Sequence, residues 1–138
     1  VKARRVAGEK VGLVTLRMLR PFPEDAFRAA CAPAKRLGVL DRNYAAGLGG
    51  IWHHEIRGFM QGHRDNLLIQ GYLTGIGGGD VTLERVDEAL DDLAQRETAG
   101  APVWIGMHDP GRVPAPATPP GELAGPMESE SETQEAHA

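Results

Sequence analysis

Three neighbouring residues, His53, His54 and Glu55, carry side chains of the types that ligate metal ions. Adjacent residues on a helix point about 100° apart, so three in a row are poorly placed to share one ion. A zincin helix instead places its two histidines four residues apart on the same face. The pattern therefore favours a polar helix face at a subunit contact over a metal site.

Cys31 is the only cysteine of the 138-residue chain. By itself this chain therefore cannot form a disulfide, a cysteine-built zinc site or an iron–sulfur cluster. Electron transfer through a cluster of its own is excluded on the same ground. Because Cys31 falls on the apolar face of a predicted helix, we expect its thiol to belong to the core.

Two glycine-rich loops, residues 47–50 and 75–79, each precede a predicted helix. Backbone N–H groups in such a loop can cradle a phosphate at the helix N-terminus. Neither loop is followed by the Gly-Lys-Ser or Gly-Lys-Thr of a Walker A motif, and the first has only part of a dinucleotide fingerprint. We interpret both loops as structural turns, with contact to coenzyme A or a nucleotide as the alternative.

A charged pair, Asp41 and Arg42, follows a predicted strand, at the end where α/β folds usually place ligands. This pair has two interpretations, one purely structural and one as an interface ion pair beside a neighbouring domain. The same two interpretations apply to Arg20, which directly precedes Pro21.

These residues must be positioned by alternating strands and helices. Short apolar runs predict strands at residues 11–16, 36–41 and 66–72. Residues 101–107 are predicted to be either a last edge strand or an extended tail, because Pro102 and Pro110 flank them. Helical spacing predicts the end of a helix at residues 1–9 and further helices after Pro23, after Gly50 and over residues 80–97.

The helix over residues 80–97 has the clearest start signal. Thr82 is its predicted N-cap, and Val81 and Val86 fall at the two positions of a hydrophobic staple. Its predicted buried stripe consists of Leu83, Val86, Leu90 and Leu93.

This alternation predicts an α/β layered domain, with a mostly parallel sheet and helices on both faces. The domain is expected to span residues 1–108, with a first strand missing before the helix at 1–9. Residues 109–138 contain six prolines and almost no large apolar side chains. That composition predicts a disordered Pro/Glu-rich tail, because it cannot offset the entropy cost of ordering.

Charge divides the chain in the same way. Residues 1–108 carry 14 basic against 13 acidic side chains, whereas residues 109–138 carry one against six. The only basic cluster, Lys2, Arg4 and Arg5, is predicted to be a solvated helix face in preference to a nucleic-acid binding patch, and we expect no nucleic-acid partner. No apolar run of about 18 residues and no secretory signal pattern occurs, so we expect no membrane span and a cytoplasmic location.

Three motifs, in this order, resemble the second domain of the alpha subunits of pyruvate:ferredoxin-type 2-oxoacid oxidoreductases. They are residues 8–23, with Leu-Arg-Pro-Phe-Pro at the end, residues 39–43, Val-Leu-Asp-Arg-Asn, and residues 75–82, Gly-Ile-Gly-Gly-Gly-Asp-Val-Thr. The order and spacing make the resemblance specific over residues 8–98. The resemblance implies a Rossmann-like domain of the transketolase C-terminal type, truncated at its N-terminus.

The resemblance also implies a function. The whole enzyme would convert a 2-oxoacid and coenzyme A to acyl-CoA and CO₂ and pass the electrons to ferredoxin. Thiamine diphosphate, Mg²⁺ and iron–sulfur clusters would be bound by other domains and the beta subunit. This chain would be a structural and subunit-interface domain with no catalytic, cofactor-binding or metal-binding residue and no activity alone. The alternatives are a comparable domain of another thiamine enzyme and a stand-alone Rossmann-like module that binds a phosphate-bearing ligand.

Eleven residues are implied as interface candidates. They are Arg20, Pro21, Phe22, Pro23, Asp41, Arg42, Gly49, Gly50, Glu55, Gly78 and Asp80. Glu55 matches a glutamate of many relatives, whereas His53 and His54 depart from the family pattern. Gly79 occupies a position where members of the family commonly have arginine. Any ionic contact that this arginine makes in relatives is therefore absent here. The sequence leaves open which 2-oxoacid is the substrate.

Overall fold

Helices and strands alternate through the part of the chain that the computed structural model describes, residues 1–18, 20–64 and 66–106. The elements are α1 Lys2–Val6, α2 Glu24–Cys31, β1 Arg36–Asp41, α3 Ile51–Met60, β2 Leu68–Leu73, a 3₁₀ turn at Ile76–Gly78, α4 Leu83–Gln95 and β3 Val103–Trp104. The predicted disordered tail, residues 109–138, lies outside the described residues.

The three strands form one parallel sheet in the order β1, β2, β3. Arg36 is paired with Leu68 and Asp41 with Leu73, and β3 extends the sheet with Tyr72 paired to Val103. The parallel arrangement with flanking helices confirms the predicted α/β class. It also confirms the last predicted strand as a short edge strand.

One face of the sheet is covered by α2 and α3. The buried cluster there consists of Phe27, Cys31, Val39, Ile56, Met60, Leu67 and Ile69. Cys31 is buried within it, as its place on the apolar face of α2 predicted. Leu16 and Phe22 pack against the same cluster, so the segment before α2 is held to this face.

The opposite face is covered by α4. Tyr72, Ala89 and Ile105 form its buried cluster, with Leu93 packed beside them. A Cβ atom added at Gly38 would lie 3.1 Å from Leu93 Cδ2, so glycine lets the helix approach β1 closely. The Tyr72 hydroxyl donates a 2.7 Å hydrogen bond to Asp92, which satisfies the one polar group of this buried ring.

The start of α4 was predicted correctly and its buried stripe in part. Thr82 is the N-cap, and its Oγ1 accepts a 3.4 Å hydrogen bond from the Arg85 amide. Leu83, however, is 80% exposed, and the fully buried residue is Ala89. Leu83 is the first residue of α4 and belongs to neither buried cluster.

Helix α1 packs on α4 through ion pairs. Arg4 donates to Asp87 at 2.7 Å, to Asp91 at 2.6 Å and to Glu9 at 3.1 Å. Lys2 and Arg5 are exposed, as predicted for a solvated face, but Arg4 is largely covered. None of the helices in this described part of the chain is long and apolar enough to cross a membrane.

The strand predicted at residues 11–16 is wrong. These residues form neither helix nor strand, and Leu13 is 75% exposed. A strand exists only when a neighbour accepts its backbone hydrogen bonds, and within the described residues β1 is paired with β2 alone. The apolar run therefore has no backbone partner there.

Candidate functional site

The loop after β1 supplies the N-terminal cap of α3. The first N–H groups of a helix have no partner within the helix, and the N-cap of α3 is Gly50, which has no side chain. Asp41 accepts hydrogen bonds from the amides of Trp52 at 3.2 Å and His53 at 2.9 Å. Asn43 accepts one from the Ile51 amide at 3.0 Å. Residues 41 and 43 thus satisfy three of these amides.

Gly50 leaves room for the Asp41 carboxylate. A Cβ atom added at Gly50 would lie 2.0 Å from Asp41 Oδ2, and one added at Gly49 would lie 2.5 Å from Pro102 Cγ. Gly49 also has a φ of 87°, in the left-handed region that favours glycine. Gly50 is therefore required because the Asp41 carboxylate lies close to it. Gly49 is required both because Pro102 lies close to it and because of its left-handed backbone conformation.

Asp41 is only 1% exposed, and its environment acts on its carboxyl group in two directions. Burial raises the pKa of Asp41, while the hydrogen bonds from the His53 and Trp52 amides oppose that rise. Its position at a helix N-terminus favours negative charge, because the helix dipole is positive there. The Asp41 carboxyl group thus binds backbone amides inside the domain. A direct contact between Asp41 and a partner subunit stays a prediction.

Arg20 and Glu55 form a bidentate ion pair. Arg20 Nη1 donates to Glu55 Oε2 at 2.8 Å, and Arg20 Nη2 donates to Glu55 Oε1 at 2.6 Å. The Arg20 guanidinium holds the pKa of Glu55 below its usual value, and the carboxylate raises the pKa of Arg20. This pair, predicted as two separate interface candidates, ties the segment before α2 to the middle of α3.

Phe22 fixes the same segment through its ring. It stacks on Phe59 with 4.0 Å between ring centroids and meets the edge of Phe27 at 5.4 Å. The Arg20–Pro21 peptide bond is cis, and Pro23 is the N-cap of α2, which begins at Glu24. Through Arg20 and Phe22, residues 20–23 therefore join α2 and α3.

Two of the remaining candidates, Gly78 and Asp80, lie on the loop after β2, and Arg42 follows β1 at the same end of the sheet. Arg42 Nη2 donates to the Gly79 carbonyl at 3.4 Å, which links the two loops. Gly78 has a φ of 89°, and the Asp80 carbonyl accepts a hydrogen bond from Arg85. Both glycine-rich loops are thus built as turns, and their contact with a phosphate stays untested.

The His-His-Glu sequence does not converge on one point. His53 is buried, with Nε2 3.4 Å from the Ile69 carbonyl oxygen, and burial lowers the pKa of its imidazole. His54 is exposed, and Glu55 is held by Arg20. Within residues 1–18, 20–64 and 66–106 there is no group of three or more potential metal ligands.

Sequence reasoning missed two polar side chains that organise the sheet. Asn43 was part of a recognised motif, but its capping role became visible only with the start of α3. Gln70 is fully buried in β2, where its amide donates to the Ala101 carbonyl at 2.9 Å and accepts from the Gly100 amide at 2.9 Å. A glutamine inside an apolar strand run was the available signal, since such groups are buried only when they are hydrogen-bonded.

The family model described as pyruvate:ferredoxin oxidoreductase core domain II matches residues 1–86 of this chain. These residues include the Asp41 loop, the Arg20–Glu55 pair and the loop after β2. The predicted resemblance is confirmed by this match.

Curated relatives are alpha-type subunits of oxidoreductases. Ketoisovalerate oxidoreductase subunit VorA of Pyrococcus furiosus is 35% identical over 89 residues, which cover 64% of this chain and 23% of that protein. Pyruvate synthase subunit PorA of Methanothermobacter thermautotrophicus is 30% identical over 105 residues, covering 76% and 26%. NADH-dependent phenylglyoxylate dehydrogenase subunit alpha of Aromatoleum evansii is 29% identical over 114 residues, covering 79% and 27%.

The chain spans about a quarter of the length of the curated relatives that it matches. Their similarity therefore concerns one domain of a longer subunit. Because the family model covers more than half of the sequence, the chain belongs to the pyruvate:ferredoxin oxidoreductase core domain II family.

Proposed function

We propose that this chain is a structural and subunit-interface domain of a thiamine diphosphate-dependent 2-oxoacid:ferredoxin oxidoreductase. The assembled enzyme converts a 2-oxoacid and coenzyme A to acyl-CoA and CO₂ and reduces ferredoxin. In this proposal the chain contributes no catalytic group. Its partners are the beta subunit and the other domains of the enzyme.

The proposal rests on one observation: the polar side chains of the matched motifs bind other groups of the same domain. Asp41 caps α3, and Arg20 binds Glu55. These groups act on the domain itself, so they build a rigid support. A catalytic acid, base or nucleophile would instead have to be accessible to a substrate.

Exposed apolar side chains support the interface role. Among the described residues, ten large apolar side chains are exposed by more than a third, namely Val6, Leu13, Val14, Met18, Leu40, Tyr44, Leu48, Ile51, Val81 and Leu83. Three of them, Tyr44, Leu48 and Ile51, follow β1 in the loop and first turn of α3. We name these three the carboxyl-end surface. Apolar surface that is not covered within a domain is typical of a docking region.

The iron–sulfur clusters implied for the whole enzyme do not fit this chain. An iron–sulfur cluster needs several cysteine ligands, whereas Cys31 is the only cysteine and is buried in the core. We therefore assign the iron–sulfur clusters to other domains or subunits, and the proposal places thiamine diphosphate and its Mg²⁺ there as well.

The test is an assay of the natural gene product, isolated together with the proteins that bind it. We expect coenzyme A-dependent reduction of a viologen dye by at least one of pyruvate, 2-oxoglutarate and a branched 2-oxoacid. The 138-residue chain alone is expected to give no turnover. A gene product that is isolated alone, without thiamine diphosphate and without activity on any 2-oxoacid, would overturn the proposal and favour a stand-alone phosphate-binding module.

A further inference from the structure

The short length of β3 leaves a gap beside the first residues of β2. β3 is paired only with the end of β2, at Tyr72 and Leu73. Within the described residues, the first half of β2 therefore has a strand neighbour on one side alone, which is β1. The Gln70 amide closes one end of this gap through its hydrogen bonds to the segment before β3. The space that remains lies between α3 and the segment that follows α4.

A cleft of about 850 Å³ occupies this space. α3 lines it with His54, Arg57 and Gly58, and the segment after α4 lines it with Thr98 and Ala99. The first residues of β2 also line the cleft, which places it at the amino end of the sheet. Ligands of α/β folds usually bind at the carboxyl end, so the fold class does not predict this cleft. Its volume is in the range of small-molecule sites.

Basic side chains line the cleft. His54 and Arg57 are three residues apart on one face of α3, and both are exposed. Arg64 also lines the cleft but donates to two carbonyls at the C-terminal end of α2. The Arg57 guanidinium, by contrast, has no hydrogen-bond or ion-pair acceptor among the residues that the structure describes. Two arginines against one glutamate, Glu97, give the described lining a net positive charge.

The cleft also offers room and backbone donors. A Cβ atom added at Gly58 would meet no atom within 4 Å, so glycine leaves this wall of the cleft open. The N–H groups of Thr98 and Ala99 bind no acceptor within the described part of the chain. Backbone N–H groups and guanidinium groups both form strong hydrogen bonds with oxyanions. The lining is therefore suited to a ligand with negatively charged oxygen atoms.

We propose that this cleft binds a small anionic ligand that bears phosphate or carboxylate groups. Arg57 binds the anion, because the planar guanidinium matches two oxygens of either group. His54 and the amides of Thr98 and Ala99 are the further donors. The inference does not depend on the proposed function, since no residue of the cleft belongs to the interface candidates.

An NMR titration of the 138-residue chain tests the proposal. The probes are inorganic pyrophosphate, ADP and citrate, each added at constant ionic strength so that a general salt effect is absent. We expect saturable shifts of the Gly58, Thr98 and Ala99 amide signals with at least one probe. The amide of Gly47, in the loop after β1, is the internal control and should not shift. Tighter binding of pyrophosphate or ADP would identify phosphate as the ligand group, and tighter binding of citrate would identify carboxylate.

The Arg57→Gln variant tests the main donor. We expect the apparent Kd of the bound probe to rise by about tenfold or more, because a two-point contact with a charged group is lost. Arg5→Gln removes an exposed arginine from α1 and should leave the Kd unchanged. Arg57 lies in the last turn of α3, where a cation also suits the helix dipole. A purely structural role would therefore change Tm and leave the Kd unchanged, which would overturn the proposal.

The Gly58→Leu variant fills the cleft without changing its charge. We expect the probe-induced shifts to disappear, while the fold is kept because glycine is unfavourable inside a helix and the new side chain has open space. Gly58→Ala adds one methyl group and should weaken binding less.

Three further results would contradict the proposal. The first is the absence of saturable shifts with all three probes. The second is a set of shifts confined to residues 75–79, which would place anion binding at the glycine-rich loop after β2 instead. The third is an equal Kd for the wild type and Gly58→Leu, which would mean that the probe binds outside the cleft.

Discussion

The two edges of the sheet are built in opposite ways. β3 consists of Val103–Trp104 alone, is preceded by Pro102, and is followed by Ile105 and by Gly106 with a φ of 68°. β1 is three times as long and has an uncharged middle. Proline and short length prevent further pairing at one edge, whereas the other edge has no such protection. Within the described residues, the two edges therefore differ in length and in the side chains that could block pairing.

The two edges are also held by different contacts. The carboxyl end of β1 is fixed to α3 by Asp41, which accepts two backbone hydrogen bonds while buried. The segment before β3 is fixed to β2 by the Gln70 amide. Substitutions at these residues should therefore affect the two edges by different amounts.

The largest effect is expected at Asp41. Asp41→Ala removes two hydrogen bonds to the α3 N-terminus and leaves those amides buried without partners. We expect the free energy of unfolding to fall by about 2–4 kcal/mol in urea denaturation. Asp41→Asn keeps an acceptor and should lose less. Wild-type stability of Asp41→Ala would show that the β1 end is held by something else.

A smaller loss is expected from Gly50→Ala. The new methyl group would overlap the Asp41 carboxylate, and relief of such overpacking costs about 1–3 kcal/mol. The φ of Gly50 is −71°, so backbone strain is not the cause. Gly58→Ala is the matched control in α3, because its added Cβ meets no atom within 4 Å. It should leave the free energy of unfolding unchanged or raise it by up to about 1 kcal/mol. Equal effects of the two variants would contradict the close packing.

On the opposite edge, Gln70→Ala should release the segment before β3. The Gly100 amide and the Ala101 carbonyl lose their partner, which costs about 1–2 kcal/mol in the free energy of unfolding. We also expect faster amide exchange at Ile105, whose N–H donates to the Leu73 carbonyl. Gln95→Ala, on the exposed face of α4, is the control. Unchanged exchange at Ile105 would contradict the role of Gln70.

The smallest effect is the pH dependence from His53. Burial lowers the pKa of this imidazole from its ordinary value of 6.5. The unfolded chain therefore binds a proton before the folded chain does, and the free energy of unfolding decreases as pH falls below about 6.5. His53→Gln should flatten the thermal-denaturation profile between that pH and the lower folded pKa. The exposed control His54→Gln should keep the slope, and equal slopes would contradict the account.

Much of the fold could be predicted because local signals agree with it. The strand at residues 36–41 was predicted with its observed bounds, and Thr82 was identified as a cap. The run at residues 11–16 was not predicted correctly, because its sequence satisfies every local rule for a strand. Pairing is decided by a neighbour, and the described residues provide none for it.

The residues of the candidate site could be predicted from the sequence, but the contacts between them could not. Arg20 and Glu55 were both selected, yet their pairing depends on packing between the segment before α2 and α3. Asp41 was placed correctly at a strand end. Its capping role requires that α3 starts at a glycine lying beside the carboxylate, which is a three-dimensional fact.

The most direct test of the interface role is native mass spectrometry of the natural gene product isolated with its partner subunits. Leu48→Lys places a charge on the carboxyl-end surface, at a side chain that is 57% exposed. Ala94→Lys, at an exposed position of α4, is the control. We predict that the Leu48→Lys protein loses its partner subunits and that the Ala94→Lys protein retains them. Both variants are expected to fold normally. Full retention of the partners by Leu48→Lys would contradict the assignment of this surface to subunit docking.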